Sequence, residues 1–130
     1  MIVLDASAVV DWLLQTPAGQ LIEKRIYSYN DSLHSPHLLD VEVTQVLRRL
    51  VLHGTISAHR AGEATRDLID LRVTRYPHFV LLPRIWQLRQ NFSAYDAAYV
   101  ALAEKLDAVL ITRDAGLASA AGHVAAIELF

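Results

Sequence analysis

The chain contains two short runs that are aliphatic at every position, Ile2-Val3-Leu4 and Ala108-Val109-Leu110-Ile111. A strand with one face in water alternates apolar and polar residues. A strand without alternation is covered on both faces, as in a parallel sheet sandwiched between helices. The stretches between such runs carry helical punctuation. Thr16-Pro17 and Ser35-Pro36 each pair a capping residue with proline at a first helical position, and Ser57 and Ser93 are further N-caps. Gly54 and the Tyr76-Pro77 pair are stops. The expected order is β-α-α-β-α-α-β-α-α-β-α-β. Its strands are Ile2–Leu4, Leu33-His34, Phe79–Leu82, Ala108–Ile111 and Val124–Leu129. The helix opened by Pro36 runs through His53, and the one capped by Ser57 reaches about Arg75. This pattern predicts an α/β fold, a three-layer α/β/α sandwich around a central parallel sheet with right-handed crossovers. At 130 residues, with no linker or repeat, it is expected to be one domain, 1–130.

Composition narrows the chemistry. There is no cysteine, which excludes disulfides, thiolate metal sites and cysteine nucleophiles. The glycines are scattered and form no phosphate-binding loop. The six histidines, His34, His37, His53, His59, His78 and His123, show no metal-binding spacing and are read as surface or turn residues. No targeting segment or membrane-length apolar stretch is evident, so a soluble, cytoplasmic protein with no membrane contact is expected.

The acids carry the remaining signal. Ligands of open α/β sheets lie beyond the carboxyl ends of the strands. Asp5 follows the first aliphatic run directly, and Asp114 follows the run ending at Ile111. Glu42 and Asp96 each lie early in a helix among apolar or small neighbours. Taken singly, Asp5 and Asp114 are explained as helix caps, Asp96 as part of a capping box with Ser93, and Glu42 by the helix dipole. Together, all four fall on one edge of the sheet. Carboxylates gathered there repel one another unless a cation intervenes, and an oxygen-only donor set points to Mg²⁺ or Mn²⁺.

The blocks Val3-Leu4-Asp5-Ala6-Ser7-Ala8, Ser93-Ala94-Tyr95-Asp96-Ala97-Ala98-Tyr99 and Ile111-Thr112-Arg113-Asp114, with Glu42 between them, resemble the PIN-domain nucleases, and most closely the VapC-type toxins of toxin–antitoxin pairs. The resemblance spans the chain. It implies that Asp5, Glu42, Asp96 and Asp114 are the acidic metal-binding and catalytic quartet, with Asp40 a rival to Glu42. Ser7 and Thr112 match hydroxyl positions that orient carboxylates or water. It further implies metal-dependent hydrolysis of RNA, neutralisation by a VapB-type antitoxin held in an apolar groove, and a homodimer. Trp12, Leu13, Ile22, Leu47, Leu50 and Trp86 are expected in the core, with some of them at these interfaces. A non-catalytic PIN-fold module that binds RNA or protein is the alternative. A dehalogenase-like phosphatase needs a second Asp two residues after the first, where this chain has Ser7.

The net charge of −2 is unevenly distributed. Residues 48–89 hold eight arginines and three acids, and with the quartet neutralised the rest of the chain has twelve bases to ten acids. Arg48, Arg49 and Arg113 are the expected RNA contacts, while Arg60, Arg66, Arg72 and Arg75 read as a solvated helix face.

Overall fold

A computed structural model describes all 130 residues. Five parallel strands form the central sheet: β1 (Ile2–Leu4), β2 (Leu33–Pro36), β3 (Val73–Tyr76), β4 (Val109–Thr112) and β5 (Ala126–Leu129), in the order β3-β2-β1-β4-β5. β1 is central and its three residues are wholly buried, which is why it is purely aliphatic. From β1 the chain moves outward to β2 and β3, then returns to β4 on the other side. The order therefore reverses between β1 and β4, and a crevice opens there beyond the strand ends.

Helices α1 (Ala6–Leu13), α2 (Pro17–Ser28), α3 (Leu38–Leu52) and α4 (Ala58–Asp70) belong to the outward crossovers. The helices α5 (Leu82–Gln87) and α6 (Ala94–Leu106) belong to the return from β3 to β4, and α7 (Ala115–Ser119) to the onward step from β4 to β5. Right-handed crossovers place the two sets on opposite faces of the sheet. In α6 every residue from Ala97 to Ala103 is buried. Its alanines let the helix lie close against β1, β2 and β4, so its first turn is brought to the crevice. No helix is long and apolar enough to cross a membrane.

The three-layer expectation stands, with local corrections. Pro36 ends β2 and does not open a helix; α3 starts at Leu38. β1 pairs with β2 only as far as His34, so the missing Pro36 N–H leaves no ladder bond unmade on that side. The third strand is Val73–Tyr76, not Phe79–Leu82. α4 stops at Asp70, well short of Arg75, and the β-branched Val73 and Thr74 extend the chain. Phe79–Leu81 is a single 3₁₀ turn in which only Leu81 is buried. Trp86 is not core: it is 68% exposed, with the Arg89 guanidinium stacked over its ring at 4.5 Å. Trp12, Leu13, Ile22 and Leu47 are buried as expected, and Leu50 is partly so. His34 is buried on β2, where one ring nitrogen meets Ser32 Oγ and the other Tyr76 Oη. His78 Nε2 accepts from the Leu38 amide and so caps α3.

Candidate functional site

A cleft of about 580 Å³ lies over the switch point, lined on one side by Asp5, Glu42, Asp96 and Asp114. Each acid comes from a different segment: the end of β1, the second turn of α3, the first turn of α6, and the loop after β4. The other side of the cleft is apolar, formed by Val10, Leu14, Val46, Leu50 and Ile56.

Asp5 is the most constrained of the four. It caps α1 through Ala8 N–H, which donates to Oδ1 at 2.9 Å, and Ser7 Oγ donates to the same oxygen at 2.7 Å. Thr112 Oγ donates to its other oxygen. Both hydroxyls also accept backbone donors from the following loop. Arg113 N–H reaches Ser7 Oγ at 2.9 Å, and Asp114 N–H reaches Thr112 Oγ at 3.0 Å. Ser7 and Thr112 thus stitch the end of β1 to the loop that carries Asp114.

The capping readings hold for part of the quartet. Asp114 caps α7, with Oδ1 accepting from the Gly116 and Leu117 amides at 2.8 and 3.1 Å. Its second oxygen makes no hydrogen bond. Around Asp96 the capping box is only half built. Ser93 Oγ accepts from Asp96 N–H at 3.1 Å, but the return bond to the Asp96 carboxylate is absent, so that carboxylate is left to the cleft. Glu42 lines the cleft, and its Oε1 is buried without a partner. Asp40, the rival, is gripped by the Arg75 guanidinium at 2.8–3.0 Å on the other side of α3. Its charge is already matched, and Arg75 is a tie between β3, α3 and α4, not a residue of a solvated helix face.

Electrostatics mark these groups as strained. Asp5, Glu42 and Asp96 all have pKa values raised above the ordinary range, in each case chiefly by burial. At Asp5 burial outweighs the three donors, which work the other way. Glu42 is pushed further by the charge of Asp96, and Asp96 by those of Asp114 and Asp5. An unpartnered buried carboxylate oxygen costs about 1–3 kcal/mol or more. A hard cation is the natural remedy, and these oxygen donors fit Mg²⁺ or Mn²⁺. No three acidic or imidazole side chains stand close enough together here to hold one ion, so the acids must draw in to share a cation.

Of the arginines, Arg48 and Arg49 on α3 are exposed and make no ion pair. Arg49 follows Glu42 by seven residues and so shares its side of the helix; Arg48 borders a shallow depression with Asp40 and Thr44. Arg113 is largely committed within the protein: Nε donates to Asp11 at 2.6 Å, and Nη1 donates to the Phe130 carbonyl. Asp11 and Tyr99 are polar cleft residues to which sequence reasoning gives no role. Asp11 anchors Arg113, and Tyr99 has an unpartnered buried hydroxyl. The available signal for Tyr99 is its place one turn after Asp96 in the apolar stretch Ala97–Ala103.

The family model of the PIN domain matches residues 2–123. The ribonuclease VapC12 of Mycobacterium tuberculosis is 43% identical over 129 residues, covering 99% of this chain and 98% of that protein. Among solved structures, the sarcin-ricin loop cleaving toxin VapC20 of M. tuberculosis superposes with a TM-score of 0.69 at 16% identity, over 95% of this chain and 97% of that one. VapBC2 of Rickettsia felis, solved on a promoter DNA fragment, gives 0.66 at 13% identity, over 99% and 98%. Order, length and sequence agree along the whole chain, which belongs to the PIN-domain family and, within it, to the VapC ribonucleases.

Proposed function

We propose that this protein is a toxin endoribonuclease that hydrolyses RNA phosphodiester bonds with Mg²⁺ or Mn²⁺ held by Asp5, Glu42, Asp96 and Asp114. The observation that carries the reading is the gathering of these four carboxylates in one cleft, three of them resisting ionisation and one with a buried oxygen unpartnered. Relatives named VapC ribonucleases, 43% identical over nearly the full length, support it.

When bound, the cation supplies positive charge opposite the scissile phosphate and acidifies water for attack. The chain's own residues hold the geometry. Asp5 is fixed at both oxygens by Ser7, Ala8 and Thr112 and forms the rigid corner of the site. Asp96 and Glu42 face it from α6 and α3 with oxygens free to turn. Asp114 keeps one oxygen for the α7 cap and offers the other. Ser7 and Thr112 hold the two strand ends in register. Arg48 and Arg49, exposed and unpaired, contact RNA phosphates, and Arg113 adds its unbonded Nη2 from the rim.

The apolar half of the cleft, from Val10 to Ile56, is the groove for a VapB-type antitoxin, which would close the same opening the substrate needs. The exposed apolar row Phe79, Leu82 and Trp86 is the surface for a homodimer. We infer a cytoplasmic location, where a toxin acting on the cell's own RNA meets its substrate.

Purified protein incubated with RNA and Mn²⁺ is expected to cleave it, and EDTA to stop cleavage. Cleavage that persists under chelation overturns the mechanism. Clean protein that binds RNA with Mn²⁺ present but never cuts it favours the non-catalytic module.

A further inference from the structure

Tyr99 follows Asp96 by three residues on α6, so its ring descends from the same side of the helix to the floor of the acidic cleft. The residue is 1% exposed. Buried tyrosine hydroxyls normally find a partner. Here the hydroxyl makes no hydrogen bond of ordinary geometry, and neither does Oε1 of Glu42, lining the same cleft. The two side chains are neighbours that affect one another. Burial, followed by the Glu42 charge, drives the phenol far above the ordinary tyrosine range, and the two stand close enough that loose hydrogen bonding from the phenol acts to lower the Glu42 pKa. A phenol that keeps its proton serves a carboxylate only as a donor.

We propose that Tyr99 is a positioning residue for Glu42: its O–H closes onto one carboxylate oxygen and turns the other toward the cation. The proposal rests on the cation reading given above. The adjustment it asks for is a turn about the terminal torsion of the glutamate, which is broad and roughly two-fold. It also accounts for two buried, unpartnered groups with a single bond. Donors behind a metal ligand fix its orientation and so its affinity. Tyr99 would do for Glu42 what Ser7 and Thr112 do for Asp5. One acid would then be held ready, and the other would be set only as the cleft fills.

The test is calorimetric titration of Mn²⁺ into metal-free wild type, Tyr99→Phe, Glu42→Gln and the double variant. Tyr99→Phe keeps the ring and removes only an unpartnered hydroxyl, so its melting temperature without metal should equal or exceed that of wild type. Its Mn²⁺ dissociation constant should rise about tenfold. In the Glu42→Gln background the same change should have no further effect. Unchanged Mn²⁺ affinity in Tyr99→Phe overturns the proposal, as does an equal loss in the Glu42→Gln background, and either result leaves the cation reading standing. Wild-type protein that binds no Mn²⁺ overturns both.

Discussion

At the scale of single residues, the site is held together by side chains that satisfy more than one requirement. Asp5 is both helix cap and corner of the cleft, and Asp114 is both cap and open acid. The capping readings drawn from sequence were therefore correct for these two without excluding the functional one, since a carboxylate has two oxygens to distribute. Glu42 and Asp40 lie two residues apart, and sequence alone could not choose between them. The choice rests on Arg75, which reaches Asp40 only because residues 73–76 are extended. Asp96 yields a pH prediction. Its folded pKa is raised, so ionising it costs stability, and the cost grows as pH rises through that folded value. Without divalent cations, Asp96→Asn should melt above wild type at neutral pH. The gap should close as pH falls below about 4, where the carboxyl becomes protonated in the unfolded chain too. Melting curves across pH check this; a gap that is absent or reversed at neutral pH contradicts the electrostatic account.

At the scale of elements, most of the architecture was legible. The aliphatic runs gave β1 and β4 almost to the residue, and Ser93 placed the start of α6. The failures share one cause, which is that local apolarity does not reveal which residues a neighbour will cover. Phe79–Leu82 reads as a strand, yet only Leu81 finds a place in the core. Arg75 and Tyr76 read as the end of a helix, yet they complete a strand because β2 offers an unpaired edge. The junction of α1 and α2 shows how closely elements must meet to build the site. Thr16 caps α2 and also donates to the Asp11 carboxylate at 2.9 Å, and Asp11 anchors Arg113. Gly19 makes this possible. A Cβ there would fall 1.9 Å from the Asp11 carbonyl oxygen, which belongs to backbone and cannot turn aside. Gly19→Ala should therefore destabilise the fold by roughly 2 kcal/mol, a drop of some 6 °C or more in melting temperature. A melt matching wild type would show that α2 can slide away at little cost.

At the scale of the whole molecule, the order β3-β2-β1-β4-β5 does the assembling. Residues 5, 42, 96 and 114 are far apart in sequence and become neighbours because the chain winds outward from β1 and then returns beside it. A near-neutral net charge conceals this, as an acidic cleft sits within a chain whose middle third is rich in arginine. The central claim is that the four carboxylates act as one unit. It is tested most directly by RNA cleavage rates, with Mn²⁺ present, for Glu42→Gln, Asp96→Asn and the double variant. Each single change should reduce the rate by at least about a hundredfold, and the double should be little worse than either, as for residues that function together. A single variant that cleaves at the wild-type rate, or losses that multiply in the double, would contradict the account.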